Sequence, residues 1–219
     1  MSRLEKIARF GNLRILRCAS WIDVPGLVQG VTVRRAGGDG PSFDELAGAA
    51  ADAGFRRTVR LRQVHGADAL DESELAAGGR AEGDAVTGSL PGVLGVVSVA
   101  DCVPGFLLHR EKRVWAAVHA GWRGVVAGVL GSAVDRLAGR YDIVPAELEL
   151  FLGPSICGRC YEVGPDVAAR LRAVGGGAGI EPAGEGKSVA DLRAILLLQA
   201  RRAGLRTESA AAGEYCTRC

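Results

Sequence analysis

Three short stretches set a metal-ligating or nucleophilic side chain beside a glycine or just beyond an apolar run. RQVHGAD carries His65, VADCVPG carries Asp101 and Cys102, and HAGWRG carries His119, Trp122 and Arg123. Two imidazoles and one thiolate are three of the four ligands of a tetrahedral zinc, and the position left open is the mark of a catalytic site. The pair Cys102 and His119 equally suits a thiolate nucleophile and its base, with Asp101 or Gln63 as the orienting group. Spacing does not separate these two chemistries. Taken singly, a histidine next to glycine is a surface or turn residue, Trp122 a core or lid residue, and Arg123 a solvated or salt-bridged cation. His109 ends an apolar run, has no partner motif and carries no site expectation.

The elements around these residues must bring them to one rim. VLGVVSVA (93–100), bounded by Gly92 and Asp101, and RVWAAVHA (113–120) are short β-branched apolar runs that predict buried strands. PGFLLH (104–109) predicts the first arm of a hairpin, with REKR as its polar turn. His119 then ends a strand, and Arg123 opens a helix over GVVAGVLGSAVDRLAGRY (124–141), where Val125, Val129, Ala133 and Leu137 keep helical spacing and Gly139 is a stop signal. ELELFLG (147–153) alternates as a strand. SVADLRAILLLQARRAGL (188–205) predicts a helix with Ser188 as N-cap and Gly204 as C-cap, and the glycine-rich 175–186 stretch reads as a mobile loop.

Composition bounds the function class. With 219 residues, 48% of them hydrophobic, the chain buries a substantial core and is expected to form one domain. A net charge of +2 without a run of like charges argues against dedicated nucleic-acid or membrane-surface binding. No stretch approaches the roughly 18 apolar residues that span a bilayer, and the N-terminus lacks an apolar signal core, so a cytoplasmic protein is expected. Six cysteines in a reducing compartment are metal ligands, nucleophiles or buried apolar residues rather than disulfide partners.

In order along the chain, VPGLVQGVTVRRAGG, RQVHGAD, EGDAVTG, SVADCVP, AAVHAGWRG, LGPSICGRCYEVG and DLRAILLLQARRAG resemble the YfiH/laccase-domain family, also called polyphenol oxidoreductase or purine nucleoside phosphorylase proteins. The resemblance covers roughly residues 24–217. It implies an α+β single domain over residues 1–219, with mixed β-sheets flanked by helices and of the YfiH-like kind. It also implies one zinc on His65, Cys102 and His119, with copper(II) able to replace it, and a cytosolic enzyme. The implied reactions are phosphorolysis of adenosine, inosine and methylthioadenosine, and deamination of adenosine, with purine nucleosides and phosphate as partners. Residue type and motif position then make Asp101 a proton shuttle and Arg123 and Arg34 phosphate-binding cations. Gln63, Trp122 and Tyr161 become substrate contacts, while Tyr161 and Glu162 either line the pocket or pin their loop. The alternatives are a copper-binding polyphenol oxidoreductase, a Cys102 and His119 hydrolase, and a catalytically silent metal-binding protein.

Departures from the family pattern are a shortened 36–62 segment, Gln29 where histidine is common, and an end at EYCTRC, from which the family's C-terminal strand is expected to be missing. Three histidines in total do not make a multicopper set, which needs many imidazoles. Cys157-x-x-Cys160 and Cys216-x-x-Cys219 are a structural-zinc signature, but their separation of about 55 residues is longer than a compact zinc ribbon uses. Otherwise Cys160 packs beside Tyr161 and the other three are free thiols. Oligomeric state and the preferred nucleoside leave no signal in the sequence.

Overall fold

The computed structural model describes residues 5–33, 40–75 and 81–219. An antiparallel hairpin of β1 (Glu5–Phe10) and β2 (Leu13–Cys18) turns at Gly11, φ 57°, and is extended by β3 (Val31–Thr32). Helix α1 (Phe43–Asp52) begins with a capping box, in which Ser42 and Glu45 exchange hydrogen bonds, and lays Ala49 and Ala50 on Phe10, Leu13 and Ile15. The chain continues through β4 (Arg57–Arg60), β5 (Ala69–Asp71), β6 (Ala85–Gly88) and β7 (Val93–Val96), of which β4 and β7 pair in parallel as a separate ribbon.

The predicted hairpin is present as β8 (Val103–His109) and β9 (Val114–Ala120), registered with Pro104 opposite His119 and turned through Arg113 at φ 52°. Side chains alternate across it. Val114, Ala116, Val118 and Ala120 join the core under the helices, whereas Trp115 and Ala117 face the other way. Helices α2 (Trp122–Ala127) and α3 (Val129–Tyr141) follow, then β10 (Glu149–Leu152), β11 (Glu162–Val163), α4 (Pro165–Gly175), β12 (Ile180–Gly184), β13 (Lys187–Ala190), α5 (Leu192–Arg202) and β14 (Ala210–Ala212).

The largest sheet runs β14-β10-β8-β9-β6-β5 and is mixed, since β10 and β14 pair in parallel, as do β5 and β6, while the central pairs are antiparallel. Leu130, Leu137, Leu171, Ile195 and Leu196 from the helices pack on its Leu107, Leu150 and Leu152. Burying each such side chain stabilises the fold by about 1.5–3 kcal/mol. The fold is α+β, with mixed sheets flanked by helices. Among the described residues no helix is long and apolar enough to cross a membrane.

Four local expectations are corrected. Strand pairing in the 93–100 run stops at Val96, because the backbone then leaves the ribbon and carries Asp101 and Cys102 to the rim. The helix expected over 124–141 starts earlier and is broken at Gly128, φ 85°, and it runs through Gly139 to end at Tyr141, ahead of Asp142 at φ 50°. Asp191, not Ser188, caps α5 by accepting from the Ala194 amide at 3.1 Å, since Ser188 belongs to β13. The 175–186 stretch finishes α4 and then forms a β12–β13 hairpin that turns on Glu185 and Gly186, both at positive φ.

Candidate functional site

His65, Cys102 and His119 come from three separate segments. His65 lies in the loop between β4 and β5, Cys102 directly precedes β8, and His119 is the penultimate residue of β9. Their ligand nitrogens and sulfur all lie within 4.8 Å of one another, and the two imidazole rings meet edge to face, 4.8 Å between centroids. His119 is buried, Cys102 half-buried and His65 exposed, so the cluster closes against the sheet on one side and opens to solvent on the other. Gly121 makes this convergence sterically feasible. A Cβ there would stand 3.0 Å from both the Cys102 Sγ and the His65 Cδ2.

The carboxylate of Asp84, fully buried, ties together two members of the set, His119 and the His65 backbone. Its Oδ1 lies 2.7 Å from His119 Nδ1 and accepts the His65 amide at 3.0 Å, while its Oδ2 accepts from Gly66 at 2.7 Å and Val64 at 3.2 Å. Burial alone would raise the pKa of this group, but the His119 hydrogen bond and the Gly66 and Val64 amides outweigh it and hold the carboxyl below its ordinary value. A carboxylate on Nδ1 leaves Nε2 as the lone-pair nitrogen, the arrangement that orients metal-bound histidines. His65 itself sits at φ 58°, a left-handed conformation that costs a non-glycine residue about 1–2 kcal/mol and is held here by its amide bond to Asp84. Sequence reasoning missed Asp84. The available signal was an acidic residue between a glycine and a wholly buried strand, a place where a charge must find partners.

The donors fit a metal ion. Zinc–nitrogen and zinc–sulfur bonds of about 2.0–2.3 Å put tetrahedral ligands nearly 4 Å apart at most, so the set needs only a small contraction. Burial pushes the Cys102 thiol above its ordinary pKa, and the Asp101 and Asp84 carboxylates push the same way. A free nucleophilic thiolate needs the opposite environment. Coordination by an ion draws the proton off directly.

The other expected residues fall at different distances from this centre. Asp101 is exposed, and its Oδ1 accepts the Thr217 hydroxyl at 2.6 Å. The exposed Arg123 guanidinium stacks over the Trp122 ring, 4.5 Å from its centroid. Tyr161 is half-buried, and burial raises its pKa; Cys102 and Asp101 act in the same direction and Arg123 against it, so these four groups share one electrostatic neighbourhood. Both ends of the Gln63 amide bond the Ser98 backbone, at 2.8 and 2.7 Å, which ties the His65 loop to the segment leading into Cys102. Glu162 pairs with Lys187 at 2.7 Å. Gln29 is buried and accepts the Cys18 amide at 3.0 Å. Arg34 lies outside the described residues. His109 sits at the far end of β8, where it contacts Glu147 at 3.3 Å and accepts the Lys112 amide at 3.2 Å.

A family model described as "Multi-copper polyphenol oxidoreductase laccase" matches residues 44–219. The purine nucleoside phosphorylase YfiH of Escherichia coli K12 is 37% identical over 163 residues, which cover 74% of this chain and 64% of that protein. The adenosine deaminase RL5 of an unknown prokaryotic organism is 31% identical over 153 residues, covering 68% of this chain and 57% of that one. Across the curated relatives named purine nucleoside phosphorylase that it matches, the chain spans 41% to 66% of their length. Among solved structures, YlmD of Geobacillus stearothermophilus superposes with a TM-score of 0.84 at 25% identity, over 99% of this chain and 90% of that one. With the match running from α1 through residue 219 and the segments of His65, Cys102 and His119 all inside it, the chain belongs to the YfiH/laccase-domain family.

Proposed function

We propose that this chain is a zinc-dependent purine nucleoside phosphorylase that also deaminates adenosine, with purine nucleosides and phosphate as its substrates. The observation that carries the reading is the convergence of His65, Cys102 and His119 on one rim, oriented by Asp84 and bordered by Asp101 and Arg123. The names of the relatives, purine nucleoside phosphorylase and adenosine deaminase, support the substrate class. The six free cysteines suit a reducing compartment, and we place the enzyme in the cytoplasm as a single domain.

Held by His65, Cys102 and His119, zinc would supply Lewis acidity. The chain's own residues do the rest. Asp84 holds the His119 ring and the His65 backbone in place, so the ligand set is organised before substrate arrives. Thr217 donates to one oxygen of Asp101 and leaves the other to take and return a proton at the exocyclic nitrogen of adenosine. The Trp122 and Tyr161 rings form the apolar wall for the base. Arg123, stacked on Trp122, presents its guanidinium to phosphate and offsets the charge that would repel phosphate from the rim carboxylates. Arg34 is a second candidate cation.

A multicopper oxidase reading fails on the count of imidazoles. The chain has three histidines, and His109 is engaged by Glu147 at the other end of β8. A single copper in place of zinc remains compatible with the donor set, because copper(II) outcompetes zinc at mixed nitrogen and sulfur ligands.

The test is product analysis. Adenosine and inosine should release free base only with phosphate present, and adenosine should yield inosine without it. Arg123→Ala should slow the phosphate-dependent step more than deamination. Cys102→Ala should remove the metal and both activities while the protein stays folded by thermal melt. Base release that is independent of phosphate, or phenol oxidation on copper loading with no nucleoside consumed, would overturn the reading.

A further inference from the structure

The two Cys-x-x-Cys segments, far apart in sequence, lie side by side in the fold. Strands β10 and β14 are parallel neighbours, so the segments that leave their C-terminal ends travel together. Ser155 bridges Cys216 in parallel register, and the Thr217 amide donates to the Ser155 carbonyl at 3.2 Å. This pairing removes the objection raised by the long sequence separation. A single compact ribbon is not needed when a sheet edge aligns the two halves.

The sulfurs of Cys157, Cys160, Cys216 and Cys219 all lie within 4.8 Å of one another, and Cys157 Sγ is 3.9 Å from Cys219 Sγ. Four thiolates around zinc at about 2.3 Å define a tetrahedron with edges of about 3.8 Å. Both halves are turned as ligand knuckles. In the first, the amides of Cys160 and Tyr161 donate to the Cys157 carbonyl at 2.9 and 3.1 Å. In the second, Cys216 Sγ accepts from the amides of Cys157, Arg218 and Cys219 at 3.3, 3.4 and 3.5 Å. Amides aimed at sulfur stabilise a thiolate and neutralise part of its charge. Arg159, inside the first knuckle, is exposed and places a cation beside a centre that would carry excess negative charge.

We propose that these four cysteines form a second, structural site for one zinc ion, closed to substrate and separate from the His65, Cys102 and His119 set. Binding exchanges the thiol protons for one Zn2+, and no electrons move. A soft, tetrahedral all-sulfur cage selects zinc or iron over the hard cations, and a closed four-ligand shell is structural. The site would also brace the rim. Thr217, between Cys216 and Cys219, is the residue that donates to Asp101, so the ion would fix the second knuckle against the candidate proton shuttle.

Metal analysis of the intact, reduced protein decides it. Wild type should hold two zinc ions per chain, Cys160→Ser one, His119→Ala one, and the double variant none. Cys219→Ser, at an exposed side chain whose change disturbs no core packing, should also hold one. Cobalt(II) added to metal-free protein should give intense sulfur-to-cobalt absorption that is mostly lost in Cys219→Ser and mostly kept in His119→Ala, because one site offers four thiolates and the other one. A zinc count that Cys219→Ser leaves unchanged, iron in place of zinc, or two disulfides among the four cysteines in freshly reduced protein would overturn the proposal. Loss of one ion in Cys219→Ser with no loss in His119→Ala would sustain this site while refuting the zinc of the proposed enzyme.

Discussion

Asp84 Oδ1 stands 2.7 Å from His119 Nδ1, and the same buried carboxylate accepts the backbone amide of His65, so a single side chain aligns both candidate imidazole ligands. Asp84→Asn keeps the volume but replaces an acceptor with a competing amide. The affinity of the histidine site for added zinc should fall about 10- to 100-fold, the range for loss of a group that orients a metal-bound histidine. Competition with a chromophoric chelator measures this, and an unchanged affinity would show that Asp84 serves the fold alone.

Gly121 has φ −77° and ψ 168°, which any residue adopts, so the case for glycine there rests on contact and not on backbone freedom. Gly121→Ala should empty the three-residue site, because its Cβ would meet Cys102 Sγ and His65 Cδ2 at 3.0 Å. Gly131 in α3 is the control, with nothing within 4 Å of a Cβ. Gly131→Ala should leave metal content intact and stabilise the helix by about 0.5–1 kcal/mol. Metal analysis and urea midpoints on the two variants separate crowding at the site from general glycine replacement.

Asp71 predicts acid sensitivity away from the His65, Cys102 and His119 cluster. Burial would raise its pKa, but hydrogen bonds from Ser73, Tyr141 and Thr87 outweigh this and lower it. The native state therefore binds the Asp71 proton less readily than the unfolded chain, whose aspartates titrate at about 3.9. The contribution to stability is present above that pH and is lost as the pH falls through the lower native value. Wild type should lose more urea resistance between neutral pH and about pH 3 than Asp71→Asn does. Parallel losses in the two proteins would remove Asp71 as the cause.

What could be read directly from the sequence was what local pattern encodes. The β8–β9 hairpin followed from two apolar runs around REKR, and the clustering of His65, Cys102 and His119 from their short motifs. Gly128 escaped because apolar spacing continues on both sides of the break, and only its left-handed φ ends α2. Ser188 resembled a cap, yet strand pairing with β11 and β12 claims it. Asp84 was invisible as an orienting group because its partners lie 18 to 35 residues away. The cysteine quartet needed the β10–β14 pairing, a contact between segments about 60 residues apart that no local spacing reports.

The register of β8 on β9 makes the short turn at residues 110–113 the reading frame of the rim. Pro104 faces His119 only because His109 pairs with Val114 across that turn. Deleting one turn residue would slip the frame and send the His119 imidazole through the sheet into the space now filled by Val118 and Ala120. The far end of the hairpin thus sets, by counting residues, where the imidazole can stand.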